Sequence, residues 1–273
     1  MSVSFGPGFH AAPGRAVDAL AYERYIGRWS RLFVPAVLAA AEVTGGDRVL
    51  DVASGTGEAA TLALSAVERS GLVVGTDISW AMLHAARARL QSASFQPVAT
   101  DGQALAFRDG SFDAVVCQLG LQFFPDPARG VTEFRRVVRP GRCAAVCVIS
   151  TPERAPMWGV LADTLSRHLP DQREALHLSF ALADGERLER LFRTAGFRDR
   201  RVEREVRQGT IESFDDYWGP IEAGIGQLPQ AYLALPESSR HAVREEVQAR
   251  LSGFESNGRL VMSVEMLIAA GRA

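Results

Sequence analysis

Cysteine is scarce in this 273-residue sequence, which holds three: Cys117, Cys143 and Cys147. None belongs to a Cys-x-x-Cys pair or stands beside a histidine, so neither zinc-type ligand spacing nor a disulfide framework is present. All three fall in apolar, strand-like runs, which suits reduced and buried thiols. Histidine is almost as rare, with five, and no Asp/Glu/His cluster has ligand spacing, so no metal is expected. An excess of positive charge is missing: 30 Lys and Arg stand against 32 Asp and Glu, for a net charge of -2. Without a basic footprint or a block of like charge, nucleic acid is excluded as the first guess for a partner. Long hydrophobic runs are missing as well. The longest are strand-sized, and the opening MSVSFGPGFH has neither a basic n-region nor an apolar h-region, so no membrane partner is expected and the chain reads as cytoplasmic. Internal repeats and low-complexity tracts are absent, and nothing in the sequence speaks to oligomeric state.

What is present is ordinary globular material, 47% hydrophobic and 23% charged. The length fits one large core domain with subordinate insertions. Short apolar runs alternate with longer amphipathic ones, the pattern of β-α units around a parallel sheet. Five strands are expected early, at 48–54, 72–79, 95–101, 112–120 and 142–151, each continuous enough in Val, Ala and Leu to be buried on both faces. Helices fill the gaps at 57–70, 79–90 and 128–138, the second capped by Ser79 and the third stopped before Pro140-Gly141. After Thr151 the rhythm breaks. A helix over 157–168 reads as cap, a helix over 184–195 leads into an exposed edge-ward strand at 198–207, and 213–254 is a second helical insertion interrupted by Pro220, Pro229 and Pro236. A closing strand over 259–271 completes seven, the last two forming a hairpin-like antiparallel pair at one sheet edge. The expected architecture is therefore a doubly wound α/β fold: a mostly parallel seven-stranded sheet with one antiparallel edge strand plus helical caps. Its expected parts are an N-terminal helical lid (1–30), a Rossmann-like core (31–151), a cap insertion (152–183), a core helix and strand (184–208), a second cap (209–258) and the closing strand (259–273).

Three elements carry the chemistry. VLDVASGTGEAA (Val49–Ala60) delivers Asp51 from a buried strand into a tight turn that opens a helix. Glycine at 55 and 57 lets a ligand approach the backbone, and the helix start offers free N–H groups. The dinucleotide fingerprint Gly-x-Gly-x-x-Gly stops short, because Ala60 stands at the third glycine. Asp77 ends the next strand 22 residues beyond Gly55, where a carboxylate accepts hydrogen bonds from ribose hydroxyls. ATDGQALAF (Ala99–Phe107) then places Asp101 at the end of the third strand, followed by Gly102.

Together with SFDAV (Ser111–Val115) and Phe124-Pro125-Asp126, these motifs resemble the class I S-adenosylmethionine-dependent methyltransferases, most closely their ubiquinone/menaquinone C-methyltransferase-like branch of small-molecule enzymes. The resemblance covers about Tyr22–Ser150 well and the remainder only in topology. It implies S-adenosylmethionine as cofactor, with S-adenosylhomocysteine as product and no metal. Ala53, Gly55 and Gly57 would meet the methionine moiety through backbone, and Asp77 would bind the ribose. Ile78 and Met82 would pack on the adenine, Asp101 would accept from its amino group, and the Gly102 amide would reach a ring nitrogen. Gln118 would offer its carbonyl to the methionine ammonium. Tyr22–Ser30 looks like the helix that closes over the methyl donor, with Tyr25 and Trp29 either contacting the donor or packing in a core.

One departure follows strand four. Where many relatives carry histidine, this chain reads Gly120-Leu121-Gln122-Phe123-Phe124, so no catalytic base is supplied there, and Gln122 either orients substrate or is structural. Displacement at a sulfonium needs orientation and exclusion of water more than a covalent catalyst, and a base only when the acceptor is a hydroxyl or an acidic carbon. His10, His168 and His177 are the candidates for that base, as residues placed to overhang the site. The substrate is expected to be a small, largely apolar or aromatic molecule met by Gln122, Phe123, Trp158, Phe180, Tyr217 and Trp218, aromatics that would otherwise hold the caps to the sheet. Two alternatives stand beside this reading. One is a nicotinamide-dependent oxidoreductase, sharing the glycine turn and ribose carboxylate. The other is a non-catalytic S-adenosylmethionine-binding protein.

Overall fold

The computed structural model of the chain describes residues 19–273. One mixed sheet organises them. In chain order its strands are β1 (Arg48–Val52), β2 (Leu72–Asp77), β3 (Phe95–Ala99), β4 (Phe112–Gln118), β5 (Val138–Ile149), β6 (Arg198–Ile211), the two-residue β7 (Glu255–Ser256) and β8 (Arg259–Arg272). Their spatial order is β3-β2-β1-β4-β5-β8-β6, with β7 pairing β8 alone. Neighbours among β1 to β5 run parallel, while β8 is antiparallel to both β5 and β6. The seven expected strands are all present, and the late pair lies at one margin of the sheet as anticipated, with β8 inserted between β5 and the outermost β6.

Burial explains the assignment of strands. Val49, Leu50, Val73, Ala114, Val115 and Val116 are inaccessible or nearly so, as a strand covered on both faces requires. Outermost β6 is dominated by Arg and Glu, with Val at 202 and 206, and is largely exposed, which blunts its free edge against pairing with another chain. β5 starts four residues earlier than its apolar run. Val138 pairs with Phe112, Pro140-Gly141 loop out with Gly141 at φ +81, and pairing resumes from Ala114 and Cys143.

Helices cover both faces. α2 (Arg28–Ala40), α3 (Glu58–Val67) and α4 (Trp80–Leu90) pack on one side, and α5 (Pro127–Val137) with α8 (Gly185–Thr194) on the other, each side closing its own apolar cluster. Ser79, Asp126, Asp184 and Ser213 cap their helices through side-chain oxygens, which fixes where each connection from the sheet enters its helix. Before α2 runs α1 (Ala19–Tyr22), joined to it by a π-helical turn, Glu23–Gly27. A third layer stands on the carboxyl ends of the strands. It consists of α6 (Pro156–His168) and α7 (Arg173–Leu176) after β5, and α9 (Phe214–Glu222), α10 (Gln227–Leu233) and α11 (Glu237–Leu251) between β6 and β8. The two excursions touch through the Tyr217 hydroxyl, which donates to the Met157 carbonyl at 3.1 Å, and through α11 against α6. No helix among the described residues is long and apolar enough to cross a membrane.

Candidate active site

The carboxyl ends of β1, β2 and β4 and the turns after them converge under α1 and the π-turn. β1 brings Asp51 to its end fully buried, with Oδ2 accepting from Ser54 Oγ at 2.7 Å. The chain then turns through Ala53 (φ +56), Gly55 (φ +53) and Gly57 (φ +85) before α3 begins. Gly57 needs glycine doubly: its φ is left-handed, and an added Cβ would lie 3.1 Å from the Leu90 side chain. Ala53 adopts the same left-handed region with a side chain, and Gly120 makes room for it. A Cβ at 120 would sit 2.4 Å from that of Ala53. The departure after strand four is therefore sterically matched to an alanine in the glycine turn.

Asp77 is held as a two-handed acceptor. Oδ2 takes the Gly55 N–H at 2.9 Å and Oδ1 the Ser79 N–H at 2.8 Å, which leaves outward lone pairs at the strand end. Burial is the main cause raising its pKa above the ordinary carboxylate range. Ile78 is 37% exposed and Met82 half-buried beside it, an open apolar strip for a flat ring. Asp101 accepts from the backbone N–H of Gln103 at 2.8 Å, and Gln103 in turn accepts the Asp126 N–H at 2.7 Å, so the β3 and β4 loops are tied together. Gly102 packs against Phe124, whose ring would lie 2.3 Å from a Cβ there.

On the other side of the glycine turn the site is enclosed. Tyr22, Ile26 and Ser30 share one helical face and, with Asp51, Thr56, Glu58, Gln118 and other residues of the turn, surround a cavity of about 20 Å³, room for one water. The Tyr22 hydroxyl lies 3.2 Å from where a Gly55 Cβ would stand, and burial, followed by the charges of Asp77, Glu58 and Asp51, drives its pKa far above the usual phenol value. Three buried oxygens on the cavity's lining residues have no well-aligned hydrogen-bond partner among the described residues: Asp51 Oδ1, Thr56 Oγ1 and Gln118 Oε1. Gln118 Nε2 donates to the Ser30 carbonyl at 3.1 Å, which fixes the amide with its oxygen free. Burial also raises the Asp51 carboxyl to about 7, Ser54 and the Ala60 amide offsetting part of the shift. Orphaned hydrogen-bond acceptors beside two carboxylates fit a compact cationic group with N–H donors, and the α-ammonium of S-adenosylmethionine is one.

Tyr25 and Trp29 lie on the neighbouring helical face and are buried in an aromatic cluster. Trp29 meets Trp158 edge-on with ring centroids 6.3 Å apart, and Gly209 lies flat under its indole. Tyr217, Trp218 and Phe180 belong to the same apolar cluster. Within it the Tyr25 hydroxyl and the Trp29, Trp158 and Trp218 indole N–H groups have no partner among the described residues. Gln122 is 2% exposed on the turn Leu121–Phe123, with neither amide atom bonded, and Phe123 is half-buried next to it. His168 and His177 lie in the helical layer. His177 Nε2 is 3.1 Å from Ser166 Oγ and 3.5 Å from Asp163, and His168 faces Glu246 at 3.8 Å. His10 lies outside the described residues. All 30 cationic side chains are arginine, which stays protonated, so no lysine is available as a base. Among the described residues no three His, Cys, Asp or Glu stand together as a metal site.

Several residues of this site carry no mark in the sequence motifs. Tyr22, Ile26 and Ser30 lie in the expected lid helix without being singled out in it, and Asp51 and Thr56 lie in the glycine-turn motif without a role of their own.

Comparison with known proteins identifies the family and the fold. Residues 50–145 match the family model described as methyltransferase domain. The chain is 36% identical over 166 residues to demethylmenaquinone methyltransferase of Corynebacterium kroppenstedtii, covering 56% of this chain and 69% of that protein. It is 40% identical over 126 residues to the ubiquinone/menaquinone biosynthesis C-methyltransferase of Xanthomonas campestris, covering 45% and 48%. Among solved structures, a methyltransferase described as putative from Bacillus halodurans superposes with a TM-score of 0.59 at 21% identity, over 88% of this chain and 97% of its own. Phosphoethanolamine N-methyltransferase 2 of Haemonchus contortus, solved with S-adenosyl-L-methionine, gives 0.57 at 19% identity, over 93% and 56%; both likenesses concern the fold. A doubly wound sheet with a glycine turn after β1 and acids at the ends of β2 and β3 is the frame of a nucleoside-binding domain. The chain belongs to the S-adenosylmethionine-dependent methyltransferases, in the branch similar to the ubiquinone/menaquinone C-methyltransferases, and the nicotinamide alternative falls away.

Proposed function

We propose that this enzyme methylates a small, largely apolar or aromatic molecule bound between the glycine turn and the aromatic helical layer, mainly through proximity and orientation. The observation that carries the donor side is the set of orphaned oxygens, Asp51 Oδ1, Thr56 Oγ1 and Gln118 Oε1, gathered beside the glycine turn. Asp77 holds the ribose, Asp101 and the Gly102 amide read the adenine, and Ile78 and Met82 pack against it. The backbone at Ala53, Gly55 and Gly57 passes close to the methionine limb, and Gln118 receives its ammonium through the side-chain oxygen. S-adenosylmethionine supplies an electrophilic methyl on a sulfonium whose thioether is the leaving group. The protein's part is to keep that methyl, the nucleophile and the line between them fixed and dry.

On the acceptor side, Tyr25, Trp29, Trp158, Phe180, Tyr217 and Trp218 provide the apolar wall, with Gln122 and Phe123 at its floor. Unbonded indole N–H groups and the Gln122 amide support this use, because buried polar atoms without partners are rare unless a ligand meets them. Residues 19–30 act as the described part of the lid, 31–151 with 184–208 and 259–273 as the core, and 152–183 and 209–258 as the two caps. No base is assigned, since His168 and His177 are engaged with cap residues. The relatives act, by name, on demethylmenaquinone or in ubiquinone/menaquinone biosynthesis, and demethylmenaquinone is the natural first member of a substrate screen. Calorimetric titration with S-adenosylmethionine, and separately with NADPH, on the wild type, Asp77→Ala and Asp101→Ala tests the donor side. Binding of the sulfonium that both substitutions weaken supports it. Methylation confined to polar substrates overturns the apolar-acceptor reading.

A further inference from the structure

The lid over the glycine turn is fastened to the second cap. Arg28, the first residue of α2, reaches Asp216 in the first turn of α9 with both terminal nitrogens, Nη1 to Oδ2 at 2.8 Å and Nη2 to Oδ1 at 3.2 Å. The two side chains are 23% and 24% exposed, and the guanidinium is the first cause holding the Asp216 carboxyl below its ordinary range. Beside this pair the buried Tyr25 hydroxyl feels Tyr217, and both α1 and the π-turn pack on α9. Seven residues of continuous helical backbone, from 22 to 28, thus carry the Tyr22 ring over Gly55 at one end and the ion pair at the other. A single-residue excess per turn, which the π-turn contributes, is a common device for re-aiming side chains at functional sites.

The cavity behind Tyr22 and Ile26 has room for one water, so the methionine limb of the donor enters only when this segment moves outward. Arg28 and Tyr25 are part of the same short helical piece, and such a movement draws them away from Asp216 and Tyr217. We propose that Arg28 and Asp216 are positioning residues that latch the donor lid to the acceptor cap, so that the donor exchanges only when the acceptor wall loosens. The proposal rests on the donor assignment made above. In operation, the paired state keeps both ligands enclosed and dry during transfer, and release of the latch lets product S-adenosylhomocysteine leave. The two residues act through Tyr22, Tyr25 and Trp29 and touch no reacting atom.

The test is stopped-flow binding of S-adenosylhomocysteine to the full chain, followed by intrinsic fluorescence, for the wild type, Asp216→Asn, Arg28→Gln and the exchanged pair Arg28→Asp/Asp216→Arg. Each single substitution is expected to raise both association and dissociation rates about three- to fivefold, in the range that one screened ion pair spans, with little change in Kd. The exchanged pair returns both rates toward wild type, and high salt accelerates the wild type but not Asp216→Asn. A mere loss of folding would lower the bound fraction without raising both rates together, and Arg28→Met, which also removes the charge, serves where Arg28→Gln does not fold. Rates in Asp216→Asn that match wild type, with binding intact, overturn the latch and leave the donor assignment standing. Absence of binding by the wild type overturns the donor assignment and the latch with it.

Discussion

The two halves of the site solve different problems. At the donor half the carboxylates that close β2 and β3 are held by backbone, Asp77 taking two N–H groups, Asp101 that of Gln103, and Gln103 holding the next loop, while three oxygens are left open at one point beside the glycine turn. At the acceptor half the wall is aromatic and its polar atoms stand unbonded, including three indole N–H groups, the Tyr25 hydroxyl and the whole Gln122 amide. A ligand that never changes can be met by strand ends and turns, whose positions the sheet fixes. A ligand particular to one enzyme is met by side chains on inserted helices, where a change of residue leaves the sheet untouched.

The sharpest way to break this comparison is at Asp77. Asp77→Ala removes the carboxylate that organises Gly55 and Ser79 and that is proposed to hold the ribose, and donor affinity is expected to fall about 100-fold, about 3 kcal/mol. Titration calorimetry reads this directly. An unchanged affinity would mean that the donor half is built elsewhere.

Next in size is the steric match between Ala53 and Gly120. Gly120→Ala drives a methyl to within 2.4 Å of the Ala53 Cβ and is expected to cost about 1–3 kcal/mol of stability. Ala53→Gly in the same chain should recover most of that loss, since it removes the opposing methyl and a left-handed non-glycine residue together. Thermal or denaturant unfolding of the four variants of this cycle measures the coupling. Additive losses would show that the two positions do not share the space.

Much of the donor half was legible in the sequence because its constraints are local. A strand ending in Asp51, turn glycines at 55 and 57, and acids closing β2 and β3 lie within a few residues of the backbone they shape, so spacing alone exposes them. The strand count was legible for the same reason: continuous Val and Ala runs have few other uses. What escaped is contact between distant segments. No local pattern distinguishes Tyr22 from Tyr25, and only the three-dimensional path of the π-turn puts the first over Gly55 and the second against Tyr217. The early start of β5 depended on a bulge opposite Phe112, and the Gln118 amide was placed by the Ser30 carbonyl, 88 residues away.

Asp51 turns the comparison into a pH dependence. Burial raises its carboxyl from 3.8 to about 7, so between these values the native state holds a proton that the unfolded chain has released. Stability from this group is therefore greatest at low pH, declines as pH rises through that window, and is level above it. Donor binding runs the other way, because a cationic ammonium favours the ionised carboxylate. Affinity for S-adenosylmethionine should improve by up to about tenfold from pH 6 to pH 8, and Asp51→Asn should abolish that slope. Titrations at three pH values decide it; a slope retained in Asp51→Asn assigns the proton to another group.

The smallest effect is the most informative about the acceptor half. Gln122 is 2% exposed and neither of its amide atoms has a partner among the described residues. Leucine has nearly its volume without the polar atoms, and an unsatisfied buried amide costs about 1–3 kcal/mol before packing changes are counted. If Gln122 is kept for a ligand, Gln122→Leu should leave stability equal or raise it by about 1 kcal/mol, keep donor affinity, and raise KM for the methyl acceptor once a substrate is in hand. A loss of stability beyond about 1 kcal/mol would mean that the amide is part of the packing. The acceptor half would then be apolar without exception, and its selectivity would have to come from the shape of the aromatic wall.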